Sequence, residues 1–252
     1  MSSRIVKQLI YGLMYWAVFV SVIFGGYFIW KQSTVSCFDN LKNQNETEVD
    51  CGGSCVICAI KNLTELKVLP IKFFNAEGLT TAFIQIQNIN QDYAARSFNF
   101  QLNLYDIKGE KIFNYDGIKF VYAADTASFV LPALEVSFSQ IARSELLVNS
   151  VEWELKDSFS KPDVEIKNIS IKLEKERLVI DSDFTNSNLY TLGDVIISAL
   201  LVSDSGFFVN ASKTSLGSMS PLALKHFKVF IPVSMNDKFS VSNIRLFVEA
   251  RK

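Results

Sequence analysis

The chain has 252 residues, with 25 basic and 26 acidic side chains, so its net charge of -1 leaves no basic field to collect nucleic acid or an anionic lipid surface. Phenylalanine is plentiful at 21 while glycine and proline stay at 11 and 5, a composition that can bury a core and excludes the disordered class. Setting aside about 60 residues of anchor and cysteine-rich segment leaves room for two domains of about 95 residues each.

The first element follows a short tail, residues 1–8, that carries Arg4 and Lys7. From Leu9 to Trp30 there is no charged residue. About 21 residues at 1.5 Å rise span roughly 31 Å, the thickness of a bilayer's hydrocarbon core, so residues 9–30 are expected to form a transmembrane helix. Tyr11, Tyr15, Trp16, Tyr27 and Trp30 cluster toward its ends, where amphipathic rings sit at headgroup level. Arg4, Lys7 and the N-terminal amine outweigh Lys31, so the positive-inside bias keeps the N-terminus in the cytoplasm and exports the rest. The competing reading is a cleaved signal peptide. It requires a shorter apolar region and a small-residue cleavage site, whereas Gly25-Gly26 is followed by the bulky run Tyr27-Phe28-Ile29-Trp30.

Residues 31–60 form a neck that holds all four cysteines, Cys37, Cys51, Cys55 and Cys58. Outside the membrane such a set implies two disulfides, with three pairings open. Inside a cell the same set would suggest tetrahedral zinc. Cys55-x-x-Cys58 alone would suit a redox pair, but no βαβ pattern surrounds it. Between the cysteines lie Asp39, Asn43, Glu46, Glu48 and Asp50, with Gly52-Gly53 free to turn sharply. Asp39, Asn43, Glu46 and Asp50 are the ligand set that would suit a hard cation such as calcium, although they do not follow EF-hand spacing. The alternative is a disulfide-stapled spacer whose carboxylates keep it solvated. The segment resembles a short motif of exported and surface proteins of bacteria and archaea, C-x-D-G-x-x-N-x-x-E-x-x-x-D-C-G-G-x-C-x-x-C. Its spacing is kept from Cys37 to Cys58, with Asn40, Asn45 and Glu48 standing where that motif has glycine at turns.

After Cys58 the pattern changes to alternation. Phe98, Phe100, Leu102 and Leu104 alternate with Asn99, Gln101 and Asn103, as Ile84 and Ile86 do with Gln85 and Gln87, the period of strands with one wet face. Phe227, Val229 and Ile231 repeat it. The only helical period is the short run from Val136 to Leu147. An internal repeat appears at a shift of 98: Asn88 falls on Asn186, Phe98–Leu104 on Ile196–Val202, Asp106 on Asp204 and Phe129 on Phe227. The shift then falls to about 93, pairing Val151, Trp153 and Leu155 with Ile244, Leu246 and Val248, which implies an insertion in the first copy near residues 133–147. Ser160-Lys161-Pro162 marks the boundary. The expected fold is therefore mainly β: a transmembrane helix, a disulfide-rich neck and two antiparallel sandwiches, 61–159 and 160–252. Leu102-Asn-Leu104-Tyr105-Asp106 with Lys108-Gly109 reads as a strand entering a hairpin turn. It resembles the FxLYD-type and late-embryogenesis-abundant-type sandwiches of exported bacterial proteins, which implies seven-stranded immunoglobulin-like modules used for binding or spacing.

No catalytic constellation emerges. The single histidine, His226, falls on the outer face of a strand, and there is no G-x-S-x-G elbow, P-loop or H-E-x-x-H. Asp181 and Asp183 share a strand face, as they would on a solvated one. Sequons at Asn45, Asn62, Asn168 and Asn210 permit glycosylation on the exported side. The expectation is a non-enzymatic protein anchored in the lipid bilayer of the cell membrane, which binds or spaces an envelope protein or glycan and does not bind nucleic acid. The rival expectation is a cation-binding or thiol-based sensor acting through the neck.

Overall fold

The computed structural model describes residues 3–31, 37–42, 45–76, 78–233 and 243–252. The chain divides into two compact units, Met1–Leu63 and Thr64–Lys252.

In the first unit, α1 spans Ser3–Lys31. It extends beyond the uncharged run at both ends, because Arg4 and Lys7 are good helix formers that continue the backbone ladder. Within it, Arg4–Tyr27 is long and apolar enough to cross a membrane, and none of it is buried. A second helix, α2, is the single turn Cys58–Lys61.

The second unit is all antiparallel strand. Its first half holds β1 (Lys67–Val68), β2 (Lys72–Ala76), β3 (Leu79–Gln87), β4 (Tyr93–Tyr105), β5 (Lys111–Val121), β6 (Thr126–Leu134) and β7 (Arg143–Leu155). One sheet has β3 between β1 and β2 on one side and β6 on the other, and the facing sheet has β4 between β5 and β7. The second half holds β8 (Val164–Glu174), β9 (Arg177–Asn186), β10 (Leu192–Val202), β11 (Phe208–Met219), β12 (Leu224–Pro232) and β13 (Ile244–Glu249). Here β9 lies between β8 and β12, and β10 between β11 and β13. Each half is a sandwich with its own core. Phe98, Phe100, Leu102 and Leu104 meet Ile84, Ile86, Phe129 and Leu131 in the first, and Val195, Ile197, Ala199 and Leu201 meet Leu178, Ile180, Phe184 and Phe227 in the second. Each large apolar side chain buried this way contributes about 1.5–3 kcal/mol.

The same bracket organises both halves. The buried Asn88 amide donates to the carbonyls of Tyr93 (2.7 Å) and Tyr122 (3.1 Å), and its Oδ1 accepts from Asn90. Asn90 in turn clips the incoming chain, donating to Thr64 O and accepting from Thr64 N. Asn186, Asn188 and Asp163 reproduce this set, with Asn186 Nδ2 bonded to Tyr190, Met219 and Ser220 carbonyls.

Pairing registers correct three sequence expectations. The residues matched to Phe98–Leu104 are Val195–Leu201, at an offset of 97, because the tyrosine accepting from the asparagine lies five residues after Asn88 but four after Asn186. The hairpin partner of Asp106 is accordingly Ser203, not Asp204: Gly109 N–H bonds Asp106 O as Gly206 N–H bonds Ser203 O. On the last strands Leu102 faces Leu146 and Ala199 faces Leu246, so Leu146 and Val148 match Leu246 and Val248 at an offset of 100, and the first half carries no insertion. A bulge at Ser150, φ 52°, displaces Val151 and Trp153 from the alignment that their side-chain pattern suggested. The helical period over Val136–Leu147 gives only a 3-10 turn, Phe138–Gln140, opened by Ser137 and Gln140 acting as a capping box. From Arg143 the chain is strand, with Leu146 and Val148 against the core and Leu147 outside.

Ser160-Lys161-Pro162 lies in the connection between β7 and β8. A third apolar cluster joins the halves, Phe74, Phe83 and Val130 against Leu200, Val202 and Ala211. At its rim Lys119 and Glu249 form a 2.6 Å ion pair, and the Tyr122 hydroxyl donates to Ala250 O at 2.6 Å.

Candidate functional site

In the neck the cysteines pair as Cys37–Cys55 and Cys51–Cys58. Cys55 and Cys58 are therefore not partners, so the C-x-x-C spacing does not form a redox disulfide of its own. All four sulfurs are consumed by cross-links, which leaves no thiolate for zinc. Glu48 lies within ligand distance of Cys51 and Cys58, but those two sulfurs are bonded to each other.

Two buried carboxylates organise the backbone around these cross-links. Asp50 accepts N–H bonds from Asp39 at 3.0 Å and from Asn40 at 3.0 and 3.2 Å. Glu46 accepts the Asp50 N–H at 3.2 Å and places its other oxygen 3.3 Å from Cys55 Sγ. Asp39 accepts from Leu41 N at 2.9 Å, an Asx turn. Lys61 donates to Val49 O at 2.9 Å and stands 3.8 Å from Asp50. Buried carboxylates without such donors would be costly, so the N–H bonds explain why acids occupy these positions. Asn40 and Asn45 adopt φ of 58° and 70°, as glycine replacements at turns must. Glu48 needs no positive φ; it bridges to Cys51, and Asp50 takes the left-handed angle instead, φ 55°. Gly53, φ 60°, lies so close to the Asn45 carbonyl that a Cβ would collide with it. Of the four residues expected to suit a cation, Asp39, Glu46 and Asp50 are brought together here, and Asn43 lies outside the described residues.

A second cluster lies on the outer face of β9 and β12. His226 Nδ1 is 3.0 Å from Asp183 and Nε2 is 3.0 Å from Asp181, while Lys228 reaches Asp181 at 3.2 Å and Asn168 donates to Asp183 at 2.8 Å. The hydrogen bond to Asp183 raises the His226 pKa, with the Asp181 charge adding to it, and the Asn168 and His226 bonds lower that of Asp183. The imidazole is exposed and held on both nitrogens by the two carboxylates, an arrangement of surface ion pairs.

Between the halves opens a cleft of about 480 Å³ whose lining includes Phe120, Tyr122, Leu246 and Glu249, with the Lys161–Asp125 pair, 2.8 Å, at its wall. Of the sequons, Asn45, Asn62 and Asn168 are exposed, whereas Asn210 is buried and donates to Pro232 O at 2.7 Å. The asparagine brackets and the contact between the halves were not evident from local patterning. The repeated Asn-x-Asn at 88–90 and 186–188 was the signal for the former.

No protein-family model and no curated protein matches the chain. Among solved structures, a red sea bream transglutaminase is similar at 14% identity and a TM-score of 0.26, over 76% of this chain and 30% of its own. A likeness that remote carries no argument about this chain.

Proposed function

We propose that the chain is a non-enzymatic, membrane-anchored extracytoplasmic protein of the cell envelope that binds or spaces a protein or glycan partner. In this reading α1 is a single-pass anchor with Arg4 and Lys7 on the cytoplasmic side, the neck is a cross-linked stalk, and the two sandwiches are tandem immunoglobulin-like modules. The observation that carries it is the conjunction of an unburied apolar helix with four cysteines that are all disulfide-bonded a few residues later. The shared strand pairing and shared asparagine brackets support the tandem-module reading, and the neck's resemblance to the motif of exported proteins is consistent with it.

Protease added to intact spheroplasts tests the orientation: both sandwiches are digested if the reading is right. Protection of everything except a short N-terminal peptide overturns it. The second reading, a cation- or thiol-responsive sensor, draws on the Asp39, Glu46 and Asp50 carboxylates packed beside the disulfides. Calcium titration followed by protection of the neck from proteolysis separates the two, because a stalk held by its own N–H bonds gains nothing from the ion.

A further inference from the structure

We propose that the sandwich pair is a rigid stack built to end at two modules, with one apolar docking interface inside it and polar caps on both outer faces. This inference goes beyond the spacer reading and stands independently of it, since it rests only on the second unit.

The interface is heterologous. The first half contributes the outer face of its β3 sheet, Phe83 and Val130 with Phe74, and the second half contributes the outer face of its β10 sheet, Leu200, Val202 and Ala211. Phe83 lies 5.6 Å from Phe247 and 6.3 Å from Phe208, ring centre to ring centre. Head-to-tail docking between like modules has no internal reason to stop, because each copy carries both face types. Position-by-position comparison supplies that reason.

On the β3 face, Phe83 pairs across the strands with Val130, and Gln85 with Ser128. At the same positions on β9 and β12, Asp181 pairs with Lys228, and Asp183 with His226. The apolar pair has become an ion pair, 3.2 Å, and the neutral pair a carboxylate bound to imidazole. On the β10 face, Leu200 pairs with Ala211, and at the same positions on β4 and β5 Asn103 pairs with Asn114. That outer face is a mutually satisfied ladder: Asn114 donates to Asn103 at 2.9 Å, Asn103 to Gln101 at 3.3 Å, and Gln101 to Asp116 at 2.8 Å.

Both faces of the contact are therefore apolar and the matching positions on both free ends are polar, the distribution that terminal repeats show in stacked arrays. Docking another sandwich on either end would strip water from ion pairs or amides, for which the scattered apolar area of Phe230, Ile118 and Leu147 on those faces is a poor return.

Exchanging face residues in the full chain, purified in detergent, tests the proposal. Phe83→Asp with Val130→Lys puts the cap residues into the interface. The wild-type sandwiches should melt in one transition that splits in two in this variant, and chymotrypsin cleavage after Phe159, in the connecting segment where its ring packs on Phe120 and Tyr122, should accelerate about tenfold or more. One unchanged transition with unchanged cleavage overturns the docking interface. If that variant does not fold, Glu249→Gln, which removes the charge of the rim ion pair with Lys119, should still speed cleavage after Phe159, and no change there overturns the proposal equally. Asp181→Phe with Lys228→Val, combined with Asn103→Leu and Asn114→Ala, places the two sets of docking residues on the two free ends. Concentration-dependent self-association of this variant, with a monomeric wild type, supports the cap, whereas a variant as monomeric as wild type overturns it.

Discussion

Asn186 gives the sharpest prediction, because a substitution that barely changes shape should be worse than truncation. Its side chain is fully buried, and its Nδ2 donates to three carbonyls, Tyr190, Ser220 and Met219, at 3.0, 2.9 and 3.3 Å. Its Oδ1 accepts from the backbone and side-chain nitrogens of Asn188, at 3.0 and 2.9 Å. Asn186→Ala abandons these partners in a dry site, and at about 1 kcal/mol for each of the four bonds of 2.9–3.0 Å the loss is about 4 kcal/mol. For a body of this size that lowers Tm by about 8–16 °C. Asn186→Asp keeps the acceptor oxygen but turns a carboxylate oxygen toward the three carbonyls, so it should melt lower still at pH 8. As pH falls toward about 4 the carboxyl takes a proton and can donate again, so the Asp variant should recover relative to Ala. Thermal melts followed by circular dichroism from pH 4 to 8 read this directly. An Asp variant that melts with wild type at pH 8 would refute the bracket, and Asn88→Asp should behave in the same way.

Reduction should make the neck susceptible to protease between Cys37 and Cys58. In the chain-entropy model the two cross-links, closing sequence separations of 18 and 7, contribute about 3 and about 2.5 kcal/mol. Gly53→Ala should impair correct pairing, because the φ of 60° costs a side chain about 1–2 kcal/mol and the methyl meets the Asn45 carbonyl; scrambled disulfides on a non-reducing peptide map are the readout. His226 should lend a small, salt-sensitive stability. Its pKa is raised on folding, so the contribution is present below the unfolded value of about 6.5 and is lost as pH rises through the folded one, while Asp183, lowered, contributes above its unfolded value and loses that as acid protonates it. A melting difference between wild type and His226→Gln that persists at pH 9 would contradict this.

The strands were legible wherever one face is wet: the alternation from Phe98 to Leu104 lies on β4 with the phenylalanines and leucines inside. Asn88 and Asn186 fell into register in the repeat, but that each is a buried amide tying carbonyls together was not evident. What failed was register. A residue lost between Asn186 and Tyr190 and a bulge at Ser150 shift the alignment without altering composition, so an offset of 98 misassigned the face of β10, and one of 93 matched β13 to the wrong residues of β7. The contact between the halves was illegible because Phe83 and Val130 read as ordinary alternation until Leu200 and Phe208 are seen opposite them. In the neck, cysteine spacing set the unit but not its pairing, and the carboxylates, read as ligands or as solvated charge, turned out to hold backbone N–H groups.

The most direct test of the account is a non-reducing peptide map of the protein taken from native membranes after alkylation of free thiols. The account predicts Cys37 linked to Cys55, Cys51 linked to Cys58 and no alkylated cysteine. Four alkylated cysteines would contradict it, placing the neck in a reducing compartment and with it the sandwiches on the wrong side of the membrane.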